Sequence, residues 1–191
     1  MKMGIRNSMG KVFIILNLIL AVGLFTAAES FSATAKEINA SVDVALERFY
    51  KDVQGAKEFA KSAKALLVLP GVIKGGLVFA GEYGEGAMRI GGKTVGYYNI
   101  ASASFGLTIG AEKKDIIIAF MTNESLKQFR AKSGWEAGVD GNVALWDMGA
   151  GTRLDTTTMK DPIVAFVFDA KGVMADLSLK GAKITKLDKA K

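Results

Sequence analysis

The chain has 191 residues, half of them apolar, with 25 Lys and Arg against 19 Asp and Glu, and neither Cys nor His. Without Cys there is no disulfide framework, thiolate nucleophile, Cys-ligated metal or lipid-anchoring cysteine. Without His the usual general base and the commonest metal ligand are missing, so the expectation is a protein that is not an enzyme and carries no cofactor or metal.

The first eleven residues carry Lys2, Arg6 and Lys11 and no acid, and Val12 to Ala28 is apolar apart from Asn17 and Thr26. Ala33-Thr34-Ala35 closes the stretch as a small-x-small site. These are the three parts of a secretory signal peptide, predicted at 1–35, with Ala28 as a second cleavage site and a retained anchor as the alternative. The mature chain, 36–191, is then one net-basic domain long enough to bury a core. Export to the periplasm or the outer-membrane surface follows.

Ile38, Val42, Ala45, Leu46 and Phe49 recur at three- and four-residue steps and predict a first helix. A second is predicted over 53–65, with Ala56, Phe59, Ala60 and Ala63 on one side and Lys57, Lys61 and Lys64 on the other. Pro70-Gly71 breaks the chain. Glycine then becomes frequent, and short segments of strand period follow at 76–83, 86–90, 94–100, 103–111, 115–121, 137–146, 162–169 and 173–180. In 103–111 the side chains alternate with Gly106 and Gly110, which leaves one face nearly bare. Asp115–Met121 and Ile163–Phe168 are apolar on both faces and belong at the centre of a sheet. One helix interrupts the strands at about 123–133, N-capped by Asn123, with Leu126 and Phe129 inward and Gly134 ending it. The helical part, 36–65, and the mainly β part, 66–191, form a single α+β domain: N-terminal helices packed on a strongly curved antiparallel sheet or small β-barrel.

Few residues carry chemistry. Gly81-Glu82-Tyr83-Gly84-Glu85-Gly86 lacks the register and the Lys-Ser/Thr of a phosphate loop and reads as a hairpin turn. Asp140, Asp147, Asp155, Asp161 and Asp169 form no calcium-loop pattern. A hydrolase pair such as Asp140 and Asp176 is the weakest alternative. Nucleic acid is not expected, since the basic residues do not interleave with aromatics. The suggestive feature is the basic stripe Lys57, Lys61 and Lys64, with Lys51 nearby and Lys74 past the turn. It flanks the apolar Leu66-Leu67-Val68-Leu69 and Val72-Ile73, a combination that an anionic bilayer attracts; a solvated helix face over a core strand is the competing reading.

From Ala63 to about Lys186 the chain resembles the SYLF domain family. Ala65 to Gly76 is similar to that family's opening apolar-Pro-apolar-Gly segment, and Gly81 to Gly86 to its first glycine turn. Gly96 to Ile100 and Ser104 to Glu112 are similar to its central strands, Asp115–Thr122 and Gly134–Ala144 to the strands after them, and Phe168 to Val173 to its late turn. Gly96-Tyr97-Tyr98 resembles the bacterial branch, and Glu112 stands where Gln is expected. The resemblance implies a non-enzymatic domain that binds phospholipid head groups through basic residues and an amphipathic helix.

The resulting expectation is an exported phospholipid-binding domain at the cell envelope. Lys57, Lys61, Lys64 and Lys74 would supply charge, and Leu67, Leu69 and Ile73 would insert. The partner is an anionic phospholipid membrane surface; actin is not expected in that compartment. The alternative is an envelope structural protein that binds another protein through its glycine-rich sheet face.

Overall fold

The computed structural model describes residues 33–76, 79–105, 110–147, 154, 160–172 and 179–189. Residues 1–32 of the expected leader lie outside that set. Helix α1 (Ala35–Asp52) opens on a capping box: the Thr34 hydroxyl accepts from the Glu37 amide, and the Glu37 carboxylate accepts from the Thr34 amide at 2.8 Å. Cleavage after Ala35 would remove Thr34 and that cap; cleavage at Ala28 would keep it. Helix α2 (Ala56–Ser62) is shorter than the predicted 53–65, because Gly55 turns left-handed before it and the chain is already extended at Ala63.

Strands β1 (Ala65–Gly76), β2 (Phe79–Ile90), β3 (Lys93–Phe105) and β4 (Gly110–Phe120) follow, then helix α3 (Asn123–Ala131). The short β5 (Gly134–Glu136) and β6 (Ala144–Asp147) lead to β7 (Ile163–Gly172) and β8 (Lys183–Leu187). All eight form one sheet in the order β5-β8-β3-β2-β1-β4-β7-β6, curled into a half-barrel. The α+β class stands, with one difference: β6 pairs parallel to β7, so the sheet is mixed.

The curved sheet carries an apolar layer on each face. On the outer face α1 and α2 bury Ile38, Val42, Phe49 and Phe59. Phe49, tilted, and Phe59, edge-on, pack against Phe166 of β7 with ring centroids 5.2 and 5.0 Å away. On the inner face Leu67, Leu69, Ile116, Ile118, Ala165 and Val167 meet Phe129 of α3 and Trp135 of β5. This is why 116–120 and 163–168 are apolar at every position: both of their faces are covered.

One predicted turn and three predicted strands differ from the observed elements. The 81–86 segment is no turn; it lies inside β2, and the hairpin is made by Gly91 and Gly92, at φ 55° and 79°. The 103–111 stretch is divided, since β3 ends at Phe105 and β4 begins at Gly110; Gly106 lies outside the described residues. Of the 137–146 segment only its end is a strand, β6; β5 precedes it, and Ala137 and Gly141 form an isolated bridge between the two. Residues 173–178 lie outside the described residues, and the last strand is β8 at 183–187. Helix α3 is capped by Thr122, one residue before the expected Asn123, and ends at Ala131.

Candidate functional site

Helix α1 crosses the sheet and is pinned at both ends. Near its N-terminus the Asn39 amide donates to the Tyr97 hydroxyl at 2.8 Å and accepts from Thr94 at 2.6 Å. Asp43 accepts from Arg89 of β2 at 2.6 Å. Near its C-terminus Arg48 donates to the buried Asp115 of β4 and lies 3.6 Å from Asp169 of β7. A cleft opens on each side of the helix.

The first cleft, about 540 Å³, lies between α1, α2, the start of β1 and the β2–β3 turn. Its floor is apolar, with Leu46 and Tyr50 from α1, Ala60 and Ala63 from α2, and Leu66 from β1. Lys57, Lys61, Lys64 and Arg89, the last paired with Asp43, form the rim, and the three lysines are exposed. Burial raises the Tyr50 phenol above its usual range, so it stays neutral as part of the floor. The helical period sets Lys57 and Lys61 four residues apart on one side of α2 while Phe59 turns into the core, and Lys64 joins them from the extended segment that leads into β1.

The structure therefore brings together three of the expected lipid-contact residues and separates the others from them. Leu67 and Leu69 are fully buried in the inner layer. They cannot insert into a bilayer without dismantling the core, which corrects the expectation. Strand alternation is the reason: Leu66 and Val68 face the helices, whereas Leu67 and Leu69 face inward. Lys74 is also inside, 4% exposed, and supplies no surface charge. Ile73 is 58% exposed but sits at the far end of β1, opposite Tyr83 and Lys113 rather than in the cleft. Sequence reasoning missed Leu46, Tyr50, Leu66 and Arg89. Leu46 belonged to the apolar stripe of α1, and its position at the stripe's edge was the available signal.

The second cleft, about 550 Å³, lies on the other side of α1 and is lined by Val44, Arg48, Gly71, Lys113, Asp169 and Lys171, among others. Its acids are matched by cations. Asp115 accepts from the Gly71 amide at 2.7 Å as well as from Arg48, and Asp169 lies 3.3 Å from the Lys171 ammonium.

The inner face holds a third polar group. Glu82 of β2, Lys74 of β1 and Glu112 of β4 are direct cross-strand partners in one row, with Ser102 of β3 at its end. Ser102 donates to Glu82 at 3.1 Å, and Lys114, two residues beyond Glu112 on the same face, has its ammonium 3.4 Å from Glu82. All four ionisable groups are at least 96% buried.

Among the described residues, no cluster of three or more acids is arranged to hold a metal, and no helix is long and apolar enough to cross a membrane. Asp140 is engaged by Lys132 and by the Glu136 amide, which hold its carboxyl below the usual range; it acts as a turn anchor. Asp176, its proposed partner in a hydrolase pair, lies outside the described residues.

No curated protein matches the chain. Residues 101–191 match the family described as "Ysc84: Las17-binding protein actin regulator". The matched part runs from the middle of β3 to the end of the chain and so includes the β4–β7 pair and the buried Glu112 and Lys114. The lysine-rimmed cleft lies before it. Over residues 101–191 the chain is therefore similar to that family, the one its ordered motifs from Ala63 onward resemble.

Proposed function

We propose that this protein is a non-enzymatic phospholipid-binding domain that works at the cell envelope after export, with the α1–α2 cleft as its membrane-facing site. The observation that carries the reading is the pairing of an apolar floor with a rim of three exposed lysines and Arg89. Ammonium groups around an apolar recess attract an anionic bilayer surface at about 1 kcal/mol per basic residue, while the recess accepts an apolar part of the lipid. The actin regulation in the family's description stays with the members it describes, since an exported chain shares no compartment with actin. The test is co-sedimentation with neutral and with anionic vesicles at low and high salt. Binding to anionic vesicles alone, lost as salt rises, is the expected result. A folded protein that sediments with neither composition refutes the proposal.

A second reading rests on the outer sheet face beyond the second cleft. There the exposed Tyr83 and Ile73 lie in one cross-strand row with Lys113, beside the small residues Gly75, Gly81 and Ala111. Exposed apolar side chains set among small residues suit an envelope protein partner. Pull-down of one stoichiometric protein, lost when Gly81 is replaced by a bulky residue, would favour it over lipid.

A further inference from the structure

The inner-face row contains a physical anomaly. Glu112 is 2% exposed, and both its carboxylate oxygens lack any hydrogen-bond donor. Lys114 is 1% exposed, and its ammonium makes no hydrogen bond, only the loose 3.4 Å approach to Glu82. A carboxylate and an ammonium taken out of water without hydrogen-bond partners are destabilising by several kcal/mol each, and natural interiors rarely keep them. Both project from the same face of β4, two residues and about 7 Å apart along the strand. One offers acceptors that need a donor; the other offers donors that need an acceptor.

We infer that Glu112 and Lys114 form a ligand site on the inner face of the half-barrel for a zwitterionic amino-phosphate, with the ligand's ammonium on Glu112 and its phosphate on Lys114. A ligand of one charge would satisfy only one of the two groups. A metal ion at Glu112 would meet the Lys114 charge beside it and too few further acids. An amine and a phosphate on a short link answer both groups at once. Glu82 and Ser102 hold the Lys114 side of the site through the 3.4 Å and 3.1 Å contacts. The inference deepens the phospholipid reading, on which it rests for its source of ligand: the same chemistry occurs as a lipid head group and as a free metabolite.

The experiment is thermal unfolding of the full chain with phosphoethanolamine, ethanolamine or glycerol phosphate at equal concentration. Phosphoethanolamine is expected to raise Tm, and each half-ligand to raise it far less. Glu112→Gln, which removes the orphaned charge with little change of shape, is expected to raise the ligand-free Tm and erase the response. Lys114→Met is expected to erase it too, and where that variant does not fold, Glu112→Gln alone decides. No shift in the parent chain, an equal shift with glycerol phosphate, or a shift unchanged in Glu112→Gln overturns the inference. Adding an ethanolamine lipid to vesicles of fixed anionic content separates the sources. Tighter binding of the parent but not of Glu112→Gln identifies the head group, and a response to soluble ligand alone identifies the free compound. Charge reversal at Lys57, Lys61 and Lys64 is expected to abolish anionic-vesicle binding and leave the phosphoethanolamine shift intact, so the two proposals fail independently.

Discussion

Gly86 of β2 lies directly against the Val68 carbonyl of β1: a Cβ at Gly86 would sit 1.9 Å from that oxygen and 2.8 Å from Leu69 Cα. The approach is this close because β1 is irregular there. Its register against β2 shifts between Val68 and Ile73, across the Pro70-Gly71 step where Gly71 takes a φ of 61°. The colliding atoms are backbone, so no side chain can yield. Gly86→Ala is expected to destabilise the domain by about 3 kcal/mol, the upper part of the range for overpacking. Gly81→Ala, at a position with open space around it, should change stability by under about 0.5 kcal/mol. Urea denaturation of the two variants checks the contrast.

The division of the apolar segment between cleft and core gives a second expectation. Charge reversal of Lys57, Lys61 and Lys64 should abolish binding to anionic vesicles, since it removes about 3 kcal/mol of attraction at ~1 kcal/mol per basic residue and adds repulsion, with unfolding unchanged. Leu67→Ala should do the converse. It leaves a cavity in the inner layer, costs about 2–5 kcal/mol of stability, and does not alter vesicle affinity of the folded fraction. Co-sedimentation together with denaturation midpoints separates the two effects.

Arg48 is the charge partner of Asp115, whose side chain is only 4% exposed. Removing the guanidinium leaves a buried carboxylate with the Gly71 amide as its remaining donor. Arg48→Ala should therefore cost about 3 kcal/mol, and adding Asp115→Asn should restore a large part of it. A double-mutant cycle in urea measures the coupling, and a coupling near zero would mean that the pair does not fasten α1 to the sheet.

Tyr98 is 6% exposed and packs against Phe129 at 5.3 Å. Burial raises its phenol above the ordinary value of 10.0, and Arg130 opposes this in part. A folded-state pKa above the unfolded one means that the neutral form is favoured by folding. Its contribution is complete below pH 10 and is lost as pH climbs through the raised value. Tyr98→Phe is expected to lessen the alkaline loss of stability without changing the profile near neutrality. Denaturation midpoints of both proteins across pH 8 to 11 provide the check.

Local patterns were legible wherever one physical cause acts over a few residues. The α1 stripe named Ile38, Val42, Ala45, Leu46 and Phe49; four are buried, and Leu46, at the stripe's edge, is half-buried. The two doubly apolar runs are covered on both faces as expected, although β4 and β7 stand toward one edge of the sheet while β2 and β1 hold its centre, and Lys57, Lys61 and Lys64 point to solvent. The glycines at 84 and 86 misled, because glycine serves both turns and close approaches. Neither has positive φ; each is needed because β1 passes against it. Lys74 looked like surface charge, since Lys is seldom buried, and only the pairing of β1 between β2 and β4 sets it between Glu82 and Glu112.

The sequence by itself determined the helical stripe of α1, the two strands covered on both faces, the exposed lysines and the absence of thiol and imidazole chemistry. Each is a matter of composition or short period. The tertiary structure decided which face of β1 meets the helices, why Leu66 rather than Leu67 floors the cleft, and how Glu82, Lys74, Glu112 and Lys114 gather on the inner face. Those facts depend on strand order and register between residues far apart in the chain, and a one-residue slip in register exchanges every inward side chain for an outward one.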